Sequence, residues 1–269
     1  MKKIALLSLV AITLLASCGG NKKQTTNEKK TFQQEQLEAL VKMQADSIAA
    51  LWADSCSKVP FLAAIADGQL VLSEQEKLVK PDYLLDTKQV EDFVDQAQRY
   101  RALAMYNVDS YIAKAYGMPT EDYEAASQKL GVEINDPALE ALINNFNSGM
   151  SYKELINEFY KDEEENQTLN YFWEVMTAST VEQIYVLAKH PDNQLINSFD
   201  DKAAQDLTYR IILLQEGLDR LKEYDSNLEE IAEAIKPLQQ LDAISLEQFK
   251  EQLASLKDDI ADVREALLK

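Results

Sequence analysis

The chain has 269 residues, 46 Asp and Glu against 27 Lys and Arg, and a net charge of −19. That length can bury a substantial core, and the acidic excess would repel a phosphate backbone, which excludes nucleic acid as a partner. Two cysteines and a single histidine rule out a disulfide framework and a paired-histidine metal site.

The first residues divide into three parts. Lys2 and Lys3 form a basic start, and Ile4 to Leu15 is an apolar run broken only by Ser8 and Thr13. Leu15-Ala16-Ser17-Cys18 then ends it in small residues before a cysteine. The apolar run is too short to cross a bilayer of ~30 Å as a helix. The segment resembles the lipobox signal of bacterial lipoproteins; the resemblance covers residues 1–18, and no family is recognised for the remainder. It implies that residues 1–17 are removed and that Cys18 carries acyl chains, palmitate among them, that hold the chain to a membrane. Several chains anchor stably, since each buried methylene contributes ~0.8 kcal/mol. By the same resemblance, Gly19 points to the outer membrane of the cell envelope. Gly-Gly-Asn-Lys-Lys, where an acidic export run would stand, points to its periplasmic face.

Residues 18–30 are polar beyond the cysteine and hold Lys22, Lys23, Lys29 and Lys30 against Glu28. They read as a flexible tether reaching roughly 45 Å at full stretch. The negative charge therefore lies in residues 31–269, read as one acidic, all-helical domain with a sub-boundary open near 190–200.

From Phe32 the pattern is helical almost throughout. Leu37, Leu40, Val41, Ile48, Leu51 and Trp52 share one helical face up to Pro60. Leu70-Val71-Leu72 is the one stretch that could form a strand. Ser73 with Glu76 makes a capping box for a short helix ending before Pro81. The pattern then predicts one long helix from Thr87 to Tyr116, with Val90, Phe93, Val94 and Ala97 opening its apolar face and Gly117 and Pro119 stopping it. A helix from Thr120 ends before Gly131. Another, with Asp136 as cap and Pro137 in its first turn, ends before Gly149. Ser151 with Glu154 opens a stretch that runs, with a break near Asn166, to Lys189. Gly68, Gly117, Gly131 and Gly149 thus fall at helix ends, whereas Gly217 lies inside a helix and marks close helix approach.

The C-terminal third predicts a helix from Asp200 or Asp201 to about Tyr224, one from Ser226 to near Pro237, and a last one opened by Ser245 with Gln248. In the last, Leu246, Phe249, Leu253, Leu256, Ile260, Val263 and Leu267 form a heptad seam. Leu207, Ile211, Leu214, Leu218 and Leu221 make a matching stripe, so the two helices should form a hairpin. An intermolecular coiled coil, and so a homo-oligomer, is the alternative. The expected fold is an all-α, multi-helix antiparallel bundle of about seven to nine helices with that C-terminal hairpin.

Little catalytic chemistry is legible. No Gly-rich phosphate loop, Gly-x-Ser-x-Gly elbow or Glu-x-x-His occurs. His190 sits before Pro191 at a helix C-terminus, where it can meet free carbonyls. Cys56 reads as a small helix residue. Acidic runs at Asp162 to Glu165, Glu121 to Glu124 and Asp258-Asp259 read as solvated faces, with a metal-dependent hydrolase as the sharper alternative. Catalytic residues, metal and cofactor are accordingly expected to be none, the lipid on Cys18 apart. The tyrosines, 12 in all, crowd the middle of the chain. Tyr100, Tyr111, Tyr160, Tyr171, Phe172 and Trp173 are the candidate binding residues, because aromatic side chains suit grooves for a protein, peptide, glycan or apolar ligand. The expected function is a non-enzymatic binding or interaction role on a lipid anchor. A structural spacer through the C-terminal heptad helix is the alternative.

Overall fold

The computed structural model describes residues 32–56, 60–66, 68–145, 151–189 and 194–269. Among these residues the regular structure is helical, and no strand occurs. The first helices are α1 (Phe32–Cys56), α2 (Pro60–Ala66), α3 (Glu74–Lys77), α4 (Gln96–Ala115) and α5 (Glu121–Ile134). Then come α6 (Pro137–Asn145), α7 (Tyr152–Asn166), α8 (Leu169–Lys189), α9 (Gln194–Asn197) and α10 (Asp201–Leu221). The chain ends in α11 (Glu229–Ala234), α12 (Leu246–Ser255) and α13 (Lys257–Leu267).

Helix α8 is the axis of the bundle. It packs against α4, α7, α10, α12 and α13, and every residue from Phe172 to Ala188 except Ser179 is buried. Enclosed on all sides, it buries Glu174, Glu182 and Gln183 along with its apolar residues. Outside this centre, α1 lies across α7 and α10, and α5 lies against α4. Buried side chains from Ile48 to Leu267 form one contiguous cluster.

Gly217 sets the closest approach. A Cβ added there would come within 2.9 Å of two Trp173 ring atoms and 3.4 Å of Ile48 Cγ2. The glycine on α10 is thus the socket for a tryptophan of α8, with α1 closing the third side.

Several expected boundaries move, each for a local reason. The helix expected over Thr87 to Tyr116 is split. Asp95 accepts hydrogen bonds from the Ala97 and Gln98 amides and forms a capping box with Gln98, so α4 starts there. Thr87–Glu91 is a separate 3-10 turn capped by Asp86, and Val94 is exposed. Helix α5 runs through Gly131 and stops instead at Asn135, whose φ of 54° is the left-handed C-cap conformation. Ser226 does not open α11, because Asp225, one residue upstream, caps a 3-10 turn over Ser226–Leu228. Leu70 and Leu72 are buried around an exposed Val71, but they lie in a connection with no strand partner among the described residues.

The last helix is broken at Leu256 into α12 and α13. Its seam is shared: α12 packs against α10, as the matching stripe predicts, but α13 packs chiefly against α8. The single hairpin is replaced by two contacts, one for each half of the seam. Phe249, Leu253, Leu256, Ile260, Val263 and Leu267 are all buried within the chain. These splits, with the short α3, α9 and α11, raise the helix count above the expected seven to nine.

Candidate functional site

Helices α4, α5 and α6 enclose a groove of about 600 Å³, a size usual for sites that hold small molecules. Its geometry follows from the turn between α5 and α6. Asn135 ends α5 in the left-handed region, and Asp136 then accepts the Ala138 amide at 2.9 Å through Oδ1, with Pro137 in the first turn of α6. The chain therefore turns at Asn135 and Asp136 from α5 into α6. Leu103, Ile134 and Leu139 supply apolar lining, while Ser127, Gln128 and Asn144 supply hydroxyl and amide groups. Gly131 is among the lining residues, and a Cβ there would meet only Leu103 Cδ1, at 4.0 Å.

The charges at this groove are of one sign. Glu124, Asp136 and Glu140 line it, and no Lys, Arg or His does. Behind Asp136 lies a second carboxyl. Tyr100 donates from its hydroxyl to Asp136 Oδ2 at 2.8 Å, and Asp136 neighbours the Glu163 carboxyl of α7. Glu163 is fully buried, and neither of its oxygens receives a donor from another described residue. Burial first, and the neighbouring Asp136 second, push the Glu163 carboxyl up to about 8.

Two further buried acids hold α8 in place. Glu174 meets Arg101 of α4 at 2.9 Å, and Arg101 also donates to the Leu267 carbonyl at 2.6 Å. Burial outweighs the arginine and raises Glu174 to about 7. Glu182 receives two hydrogen bonds from Arg264 of α13, at 2.6 and 2.9 Å. Asp109 of α4 neighbours Glu182, accepts the Leu85 amide at 2.7 Å, and lies 3.9 Å from Arg264. Burial, and then Glu182, hold Asp109 well above the ordinary carboxylate range.

These raised carboxyls set a pH dependence of stability. An unfolded Glu titrates near 4.3. Between that value and about 8 the folded chain holds protons at Glu163 that the unfolded chain has lost. Stability is thus full at acid pH and falls as pH rises, by at most ~1.4 kcal/mol per pH unit per group. The urea midpoint should be higher at pH 5.5 than at pH 8.5, and Glu163→Gln should flatten the difference. A midpoint that rises with pH over this range is incompatible with the buried pair.

The aromatic candidates divide into groups. Tyr100 is buried at the acid end of the groove and stacks on Tyr171, with ring centroids 4.2 Å apart. Tyr160 donates to Asp46 of α1 at 2.8 Å and meets Phe172 edge-on at 4.9 Å. Phe172 and Trp173 are fully buried, so they are core side chains without a surface for a partner. Tyr111 is half-buried at the core margin. Tyr100 is thus joined to the groove, through its hydrogen bond to Asp136. Cys18, Gly149, His190 and the Cys56 side chain lie outside the described residues.

Within the run Asp162 to Glu165, Glu163 turns inward, whereas Glu164 pairs with Lys42 and Glu165 with Lys161. The expected solvated face therefore hides one buried acid. Its signal is in the sequence: Ile156, Phe159 and Glu163 are spaced 3 and 4 apart, so the acid continues an apolar stripe. Among the described residues no three His, Cys, Asp or Glu come together to hold a metal ion. No protein-family model, curated protein or solved structure matches this chain.

Proposed function

We propose that the protein is a lipid-anchored envelope protein with a non-enzymatic binding role, and that its ligand occupies the groove between α4, α5 and α6. Cys18 carries the lipid, and residues 18–30 let the acidic body stand off the periplasmic face of the outer membrane. The observation that carries the binding role is the groove itself. It combines apolar side chains with hydroxyl, amide and carboxyl groups, and it has room for a small molecule. No described helix is long and apolar enough to cross a membrane, so attachment through lipid is consistent with the helices present. The buried heptad seam leaves no apolar face on α12 and α13 for a second copy, which removes the support for a spacer built on that seam.

Two arms test this reading. In cells, Cys18→Ala should move the protein from the membrane pellet to the soluble fraction. A variant still membrane-bound after a carbonate wash would count against the anchor. In vitro, the full chain in detergent is screened by thermal shift against peptides, glycans and amines. A ligand at a hundredfold excess over its Kd stabilises by about 2.7 kcal/mol. That shift should vanish in Gly131→Trp, which fills the groove while leaving the unliganded Tm within a few degrees. A ligand that stabilises both proteins equally, or no ligand for the wild type, overturns the groove assignment.

A further inference from the structure

We propose that the outward face of the first half of α1 is a lipid-docking surface, seated on the membrane in which Cys18 is anchored. This rests on the lipid-anchored reading and adds how the body is oriented on that membrane; the groove takes no part in it.

The ground is an apolar pattern that the bundle covers only in part. Leu37, Leu40, Val41, Ile48, Leu51 and Trp52 fall on one helical face. Ile48 and Trp52 are buried on the side of α10, where Gly217 lies close to Ile48 and the Arg210 guanidinium lies over the Trp52 ring. Leu37, Leu40 and Leu51 stay 48, 46 and 45 % exposed, and Met43 stays 57 % exposed. The charges of this helix are engaged elsewhere. Lys42 pairs with Glu164, Asp46 accepts the Tyr160 hydroxyl and Asp54 pairs with Lys153, and all three partners lie on α7. The outward side chains from Leu37 to Leu51 are then Leu37, Leu40, Met43, Ser47 and Leu51, and none of them is charged. Every residue from Gln36 to Leu40 is exposed, so this end of α1 projects from the bundle.

The chain that precedes α1 selects the occupant. Residues 19–31 join Cys18 to the helix and can span at most ~45 Å. A face held so near the anchor meets lipid at high effective concentration, so weak docking is enough. Lys22, Lys23, Lys29 and Lys30 lie in the same short segment, and basic residues next to a membrane favour anionic headgroups. An apolar helix face with basic residues beside it is the combination that settles at a lipid interface. A second copy fits less well. It would bring two acidic bodies together against their own repulsion, over a stripe interrupted by Gln44 and Ser47.

Docking there also orients the bundle. Helix α10 runs antiparallel to α1, with Arg210 bonded to Ser55 and Gly217 close to Ile48. The start of α10, where Gln205 donates to the Ile244 carbonyl, therefore points away from the membrane.

The test is tryptophan quenching on the lipidated chain in phosphatidylethanolamine–phosphatidylglycerol vesicles, with and without phospholipid brominated on its acyl chains. The native Trp52 and Trp173 are buried and give a constant background. Leu40→Trp should be quenched by the brominated lipid and shifted to the blue. Ile244→Trp, at a position 73 % exposed at the far end, should not be quenched. Adding Leu37→Glu and Met43→Glu to Leu40→Trp should abolish the quenching. That protein should still float with the vesicles and keep its Tm, since substitutions at exposed positions cost little. A Leu40→Trp chain that floats but is not quenched overturns the docking and leaves the anchor standing. A chain that does not float removes anchor and docking together. Equal quenching of Leu40→Trp and Ile244→Trp would mean unspecific adsorption and overturns the proposal. So does a blue shift that grows with protein density and ignores bromine, which would assign the face to a second copy.

Discussion

Replacing Arg264 by Met is expected to destabilise the fold by about 3–5 kcal/mol at neutral pH, the range found when one partner of a buried ion pair is removed. Glu182 and Asp109 are both fully buried, and Arg264 is the cation placed against them. Its side chain also lies over the Tyr185 ring, 4.1 Å from the centroid. Methionine fills much of the same volume, so the loss reports the charge left behind rather than a cavity. Acid pH should return part of the loss, because protonating Asp109, which burial already raises, removes uncompensated charge. Combining Arg264→Met with Glu182→Gln should likewise recover stability relative to Arg264→Met alone. Urea denaturation of the three proteins at pH 5 and pH 7.5 measures this. A single-variant loss under ~1 kcal/mol would show that the triad is solvated and does not tie α13 to α8.

That triad also marks where the sequence was legible and where it was not. Helical content was readable because it rests on short-range rules. Ser73 with Glu76, Ser151 with Glu154, and Asp200 each cap the helix that their spacing announces. The misplaced boundaries share one cause, a competing cap one or a few residues away. Asp95 with Gln98 cuts a continuous apolar pattern, and Asp225 pre-empts Ser226. The kink at Leu256 has no Gly or Pro to announce it, since it arises from α12 and α13 packing against different helices. Partner choice across the bundle is a long-range property that a matching heptad stripe cannot fix.

The candidate site was legible only in part, because a buried acid such as Glu163 sits in a run that reads as a solvated face. Glu182 follows Val175 and Ala178 on an apolar stripe, and Asp109 follows Ala102 and Met105 in the same way. An acid in register with core residues signals burial and a partner, which a composition count hides. The aromatic crowding had the opposite fault. Tyr and Trp fit a groove and a core equally well, and Phe172 and Trp173 fill the core. The groove instead lies beside the turn from α5 to α6, where Asn135 takes the left-handed conformation.

Trp173→Ala should therefore be read as a packing variant, with an expected loss of about 3–5 kcal/mol. The indole N–H has no acceptor among the described residues, so shape and burial hold the ring. Its socket makes a sharper test. Gly217→Ala puts a methyl 2.9 Å from two ring atoms in a wholly buried site, and overpacking of this kind costs about 1–3 kcal/mol. On intrinsic grounds alone the same substitution favours a helix by ~1 kcal/mol, because alanine is the better helix former. The sign should then depend on what stands opposite. In a Trp173→Leu background the clash is gone, and Gly217→Ala should become neutral or stabilising. A double-mutant cycle by urea unfolding isolates the coupling, expected at about 1–3 kcal/mol. Additive effects would mean that α10 and α8 do not meet at this pair, and that Gly217 has some reason other than tryptophan to be a glycine.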